Sequence, residues 1–200
     1  MLFNNKFILA SSSVSRYKML KKNNLFFARV PPNCKEVFLK NKLKRKKTPI
    51  KNISLELSRL KAQSVSVFKK NILVVGSDTV ISFRGNLLNK AKNINEAKKK
   101  IKLISGHTHF LYSSCSVFYN NKEIWKTTQK SKVKIRKLSD EEIDKYLKKV
   151  GQKILKSVGC YQAEEGGPNI IEEIKGDFFN VMGFPLFPFL NFIKEYKIKK

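Results

Sequence analysis

Between Ile8 and Leu20 the chain reads ILASSSVSRYKML, with four serines and Arg16 set between an apolar run and the opening of a helix pattern. A strand feeding a helix through small residues leaves free backbone N–H groups at the positive end of the helix dipole, where phosphate binds. Serine hydroxyls add donors, and a guanidinium suits phosphate oxygens. The same residues also suit an ordinary serine-capped helix, and the GxxxxGK[ST] spacing of a Walker loop is absent. In VVGSDTVI, Asp78 follows an apolar strand pattern, and buried strands deliver residues to a crevice at their carboxyl ends. A carboxylate there can hold Mg²⁺ or take a proton from water, or simply stabilise its own turn. Lys61, beside the small Ala62, and Lys90, in LLNKA, each read as surface lysines when taken alone. His107 and His109 fall on one face of a strand, but no Cys or third His lies nearby to complete a metal site, so they read as ordinary strand residues. In AEEGG, Glu164 lies close to two glycines, where backbone approaches a ligand closely. It suits the paired N–H groups of a guanine edge, or is a plain loop acid.

The elements that must position these residues follow from the periodicity. KFILA predicts a buried strand, VSRYKMLKKN a short helix, and LFFARVPP an extended run stopped by two prolines. Lys40–Lys51, KNKLKRKKTPIK, reads as a solvated, proline-containing loop. From Ser54, Leu57, Leu60, Val65 and Phe68 recur at near-helical spacing behind a serine N-cap. ILVVGSDTVISF predicts a strand buried on both faces, and NINEAKKKIKLISG a helix capped by Asn and ended by Gly106. The β-rich runs around NNKE predict an antiparallel portion. Ser139 and Glu142 form a capping box ahead of a helix ending near Gly151, and an apolar helix starts near Pro185. The fold class is α/β with a mixed sheet, without internal repeats.

The chain of 200 residues is 42% hydrophobic, which suits one domain, or one domain with two lobes. Cys34, Cys115 and Cys160 are scattered without a CxxC pair, so they read as free thiols in a reducing compartment, and the expected location is cytoplasmic. The most apolar tract, VMGFPLFPFLNFI, is too short and proline-broken to span a bilayer, and no secretory signal is expected. A net charge of +27 invites a nucleic-acid reading. The excess is almost all lysine and spread along the chain, whereas base reading leans on arginine forks and aromatic platforms. A general affinity for polyanions, nucleotides included, is the expectation, not a dedicated nucleic-acid partner.

The ordered set LASSSVSRYKML, PPNCKEV, LSRLKAQSV, GSDTVISFRGNLLNKAKN, LISGHTHFLYSS, LSDEEIDKYL, GCYQAEEGG and GDFFNVMGFPL resembles the Maf family of nucleoside triphosphate pyrophosphatases over almost the whole chain. The resemblance implies a fold like that of the inosine triphosphate pyrophosphatases: a long mixed sheet and two lobes around a central cleft. It implies house-cleaning hydrolysis of a nucleoside triphosphate to the monophosphate and pyrophosphate, dependent on a divalent metal such as Mg²⁺ or Mn²⁺. By the same resemblance Ser11, Ser13 and Arg16 match the phosphate-binding loop, and Asp78 the proton-accepting aspartate. Glu36 matches the acidic residue of the first lobe, which with Asp78 would hold the metal, and Lys61 and Lys90 match two phosphate-facing lysines. The family often forms dimers, so a homodimer is among the expected partners.

Three departures stand out. The family's usual loop reads S-P-R-R, but Val14 and Ser15 stand where the proline and first arginine would be. Lys35 replaces an aspartate that commonly precedes Glu36, and Ala91 replaces a proline after Lys90. Base preference would lie with Ser15, Thr79 and Glu164. In dTTP/UTP-preferring relatives these places look like Arg, Thr and Gln, and in 7-methyl-GTP-preferring ones like Trp, Gln and Glu, so this chain matches neither set. Glu164 leans the expectation toward a guanine-like or modified purine, with broad specificity as the fallback. The alternative from another class is a nucleic-acid-associated protein that keeps the fold with little turnover.

Overall fold

Four successive buried residues, Phe7–Ala10, make strand β1, and only a strand flanked on both edges and covered on both faces can hide such a run. In the computed structural model, which describes residues 6–196, β1 pairs in parallel with β2 (Phe27–Arg29) on one edge and β3 (Leu73–Phe83) on the other. The register Phe7↔Leu73 through Ala10↔Gly76 sets the first residues after β1 beside the middle of β3. Helix α1 (Val14–Lys22) connects β1 to β2. Helices α2 (Glu36–Arg45) and α3 (Ile50–Ser66) lead from β2 to β3.

Strand β3 turns back at Arg84–Gly85, both at positive φ, into the short antiparallel β4 (Asn86–Leu88). Helix α4 (Ile94–Ile104) follows, its first turn capped by Asn93 accepting from the Glu96 amide. Strands β5 (Thr108–Tyr119) and β6 (Lys122–Ile135) are joined by Asn120 and Asn121, both left-handed, the two-residue turn that matches strand twist. Helix α5 (Asp140–Val150) carries the expected Ser139–Glu142 capping box and gives way at Gly151, with φ +62°. Strand β7 (Ile171–Lys175), the short α6 (Phe178–Val181) and α7 (Leu186–Glu195) complete the described chain. The strands pair in the order β2-β1-β3-β5-β6-β7, with β4 on β3, a seven-stranded mixed sheet.

The chain divides into two compact units, with boundaries within β3, β5 and β6 and between Met182 and Gly183. One unit holds the chain through Thr79, Ser113–Gln129 and the segment from Gly183. On one face of its strands, Ile8, Ala10 and Val74 pack with Ala62 and Val65 of α3. The same unit holds an aromatic cluster in which Phe189 meets Phe7 and Phe184 edge-on at 5.3 and 5.1 Å, geometries that stabilise beyond their buried area. The other unit, Val80–Tyr112 and Lys130–Met182, has its own core of Ile81, Ile101, Val133, Ile143 and neighbours.

Two expectations change. Only residues 46–49 of the lysine run are a loop: Lys40–Arg45 complete α2 and Ile50 opens α3, because Leu39 and Leu43 repeat at i, i+4, half-buried on a helix that packs with α3, while Lys, Arg and Leu are good helix formers. Helix α3 begins at Ile50 after Pro49, not at Ser54. Ser54 is buried inside it, its Oγ donating to the Lys51 carbonyl and paired with Ser114 Oγ at 2.7 Å. The helix starts a turn early because Ile53 and Leu57 continue one apolar stripe and proline opens helices readily.

Candidate active site

Gly76 decides where the site forms. A Cβ there would lie 2.2 Å from the Ser58 carbonyl oxygen and 2.6 Å from the Ala62 nitrogen, so β3 and α3 touch backbone to backbone. Asp78 is two residues along the strand, on the same face as Gly76, and Lys61 is three residues along the helix from Ser58. The close approach therefore sets the two side chains against each other: Lys61 Nζ lies 2.6 Å from Asp78 Oδ1, both residues buried. The same ammonium lies 3.1 Å from Oε2 of Glu36, the first residue of α2, whose side chain is 44% exposed. One cation thus sits between two carboxylates. Among the described residues Asp78 Oδ2 receives no hydrogen bond, which leaves it open as an acceptor.

Thr79, next on β3, faces the other way and belongs to a second cluster. Arg16 is buried there, its Nε donating to the Gly183 carbonyl at 2.7 Å, Nη2 to Thr79 Oγ1 at 3.0 Å and Nη1 to Ser11 Oγ at 3.4 Å. Thr79 Oγ1 also pairs with Ser113 Oγ at 2.8 Å and donates to the Gly183 carbonyl. Gly183 sits at φ +106° with its Cα hydrogen toward this cluster: a Cβ would come 3.3 Å from Thr79 Oγ1. Burial lowers the Arg16 pKa from its ordinary value, opposed by the charges of Asp78 and Glu36. Burial pushes the Cys115 thiol well up, opposed in turn by Arg16.

The serine loop completes this unit. Ser13 is the N-cap of α1, its Oγ accepting from the Arg16 amide at 3.3 Å, and Ser11 Oγ accepts from the Ser13 amide at 3.2 Å. The first-turn amides of Val14 and Ser15 have no intrahelical acceptor, and with the helix dipole they face an anion favourably. The expected residues Ser11, Ser13, Ser15, Arg16, Glu36, Lys61, Asp78 and Thr79 all belong to one unit. Arg16 spends three donor groups inside the protein, so it braces the loop as much as it offers charge. Lys35 is exposed at the N-cap position of α2, where its side chain makes no cap.

Lys90 and Glu164 belong to the other unit. Lys90 is exposed just after β4, beyond the expected hairpin. Glu164 is exposed in a tight turn between Gln162 and Gly166, the latter left-handed. The two histidines do not act together. His107 lies before β5, exposed, with Nε2 2.9 Å from Arg84 Nη2 and Nδ1 2.6 Å from the Ser105 carbonyl. His109 is fully buried, Nε2 2.7 Å from the Tyr161 hydroxyl, and burial lowers its pKa to about 4.

Sequence reasoning gave no role to Ser113, Arg29 or the Gly183 carbonyl. Ser113 falls in the LISGHTHFLYSS motif and Gly183 in GDFFNVMGFPL, but neither motif singled them out, and a carbonyl leaves no side-chain signal.

Residues 6–196 match the family described as Maf-like protein. The chain belongs to the Maf family. Among curated Maf-family relatives, a 7-methyl-GTP pyrophosphatase of Bartonella henselae is 37% identical over 193 residues, 96% of each chain. A nucleoside triphosphate pyrophosphatase of Caulobacter vibrioides is 33% identical over 93% of each, and one of Pelagibacter ubique 35% identical over 94% of this chain and 95% of that one. The Maf resemblance read from the motifs is thereby confirmed, and so is the mixed α/β fold class.

Proposed function

We propose that this Maf-family protein cleaves a nucleoside triphosphate to the monophosphate and pyrophosphate. It is a nucleoside triphosphate pyrophosphatase, a hydrolase of acid anhydrides, with a house-cleaning role. The observation that carries the residue assignments is Lys61 held between Asp78 and Glu36, with the elements of Lys61 and Asp78 locked together at Gly76.

In this reading water attacks the α-phosphorus, the α–β bridging P–O bond breaks, and pyrophosphate leaves with the electron pair. Asp78 is the proton acceptor. Its Oδ1 is fixed by Lys61, which leaves Oδ2 to orient the water and take its proton. A triphosphate brings about four negative charges, and more develops on the leaving group. The free amides at the start of α1, with Arg16 behind them and Lys61 beside Asp78, are preorganised donors for that charge. Lys90 is assigned the second phosphate-facing lysine.

The donor set fits a hard divalent cation of the Mg²⁺ or Mn²⁺ kind. Two oxygen donors, Asp78 and Glu36, converge on one cation, the Lys61 ammonium; among the described residues no group of three or more His, Cys, Asp or Glu side chains could hold an ion by itself. Mg²⁺ is typically bound by one or two carboxylates, with phosphates and water supplying the rest. Asp78 and Glu36 would hold it, and when bound it would neutralise phosphate charge.

For the base, the Glu164 carboxylate offers only acceptors, which favours a guanine-like or modified purine with adjacent N–H donors over the carbonyls of thymine or uracil. That the Bartonella relative is named for 7-methyl-GTP supports this preference. A cytoplasmic location accords with three free cysteines, and a homodimer with the family's habit. Pyrophosphate release across a panel of purine, pyrimidine and 7-methylated triphosphates tests the reading. Turnover with metal, greatest for a guanine-type base, is expected. Salt-sensitive DNA binding without turnover overturns it in favour of the nucleic-acid-associated alternative.

A further inference from the structure

Arg29, in the extended run LFFARVPP, lies outside the motifs that carry the family resemblance, yet it grips the serine loop. It ends β2, in register with Leu9 of β1, and so stands alongside the point where β1 opens into the loop. Its Nε donates to the Ser11 carbonyl at 3.0 Å and its Nη2 to the Ser12 carbonyl. Its guanidinium carbon lies 5.6 Å from the centre of the Tyr17 ring on α1. Tyr17 meets Phe27 edge-on at 5.6 Å, and Phe27 stacks on Phe7 at 5.3 Å. The cation is thus seated on an aromatic series that begins in the core.

Gripping two successive carbonyls fixes two successive peptide planes. In a trans peptide the N–H points opposite to the C=O, so the amides of Ser12 and Ser13 are turned away from Arg29. The Ser13 amide is taken by Ser11 Oγ, and the Ser12 amide is directed to the far side of the loop. The guanidinium also covers two carbonyl oxygens whose negative ends would repel a phosphate.

We propose that Arg29 is a positioning residue for triphosphate binding: it holds the loop in its anion-accepting form and restores beside the loop the positive charge that Ser15 lacks. The proposal rests on the assignment of the serine loop as the phosphate site. It explains how a loop with one arginine keeps its conformation, since Arg16 is committed to Ser11, Thr79 and Gly183.

The test compares wild type, Arg29→Ala and Arg29→Lys by saturation kinetics of pyrophosphate release, by calorimetric titration with inorganic tripolyphosphate, and by thermal melting. Arg29→Ala should raise KM and the tripolyphosphate Kd about tenfold, the weight of one charge-assisted contact, with kcat within about threefold. Arg29→Lys should fall between, because an ammonium keeps the charge but lacks the planar fork that takes two carbonyls. Unchanged KM and Kd in Arg29→Ala overturn the proposal. So does an equal loss in both variants, or a fall in kcat that follows the folded fraction at constant KM, which would mark Arg29 as packing alone. Should Arg29→Ala fail to fold, Arg29→Lys decides through its own KM and Kd. A wild type that binds tripolyphosphate but releases no pyrophosphate refutes the enzymatic reading and leaves the Arg29 comparison intact.

Discussion

Lys61 Nζ and Asp78 Oδ1 stand 2.6 Å apart, seventeen residues from each other in the chain and both buried. A buried pair costs desolvation that its attraction offsets only with good geometry, which the 2.6 Å contact supplies. Asp78→Asn should retain the far-UV spectrum and lose at least about a hundredfold in pyrophosphate release, as for loss of a general base. A variant keeping more than about a tenth of the activity would show that Asp78 is not the base.

Removing the cation instead leaves two carboxylates facing each other. Lys61→Ala should lower stability by a few kcal/mol at most, about 3 as a ceiling, since the partly exposed Glu36 is screened by solvent. Added Mg²⁺ should raise the melting temperature of Lys61→Ala more than that of wild type. Equal shifts in the two proteins would argue against Asp78 and Glu36 as joint metal ligands.

Gly76→Ala should be among the most damaging single-methyl additions in this unit. The new Cβ meets backbone at 2.2 and 2.6 Å, so α3 must move off β3 and carry Lys61 with it. A stability loss of about 1–3 kcal/mol or more is expected, with a loss of activity beyond what the unfolded fraction explains. Denaturant melts and activity on the same preparation measure both. Wild-type behaviour in each would mean that the strand–helix contact does not position the pair.

The buried His109 should set part of the acid sensitivity. Its ordinary pKa is 6.5 and burial lowers it to about 4, so below 6.5 the unfolded chain takes a proton that the folded protein refuses. Its contribution is fully present above pH 6.5 and is lost as pH falls toward 4, amounting to about 3 kcal/mol. His109→Asn should flatten the stability profile in that window while lowering stability at neutral pH through loss of the Tyr161 contact. Parallel profiles for the two proteins would exclude His109 as the source.

Glu164→Gln tests the base. The amide adds donors for the carbonyl oxygens of thymine and uracil, so the ratio of kcat/KM for dTTP and UTP over guanine-type triphosphates should rise about tenfold. A wild type that already prefers dTTP or UTP to every purine would refute the role of Glu164.

Much of this protein was legible in its residues alone. The run KFILA read as a buried strand, the β-rich runs around NNKE as an antiparallel portion, and Ser139 with Glu142 as a helix start, because each is a local pattern. The ordered motifs carried the Maf family with them. Other features were decided only in three dimensions. The first half of the lysine run became part of helix α2, since Leu39 and Leu43 fit a helix packed with α3, and charge content says nothing of packing. Arg16 turned inward because its partners, Thr79 and the Gly183 carbonyl, lie 63 and 167 residues away. Arg29 could not be singled out at all, for its role is a pair of hydrogen bonds to backbone carbonyls, which no residue type announces. Local sequence fixes backbone preference; the meeting of Lys61 with Asp78 depended on two elements touching at Gly76, where the absence of a side chain is itself the determinant.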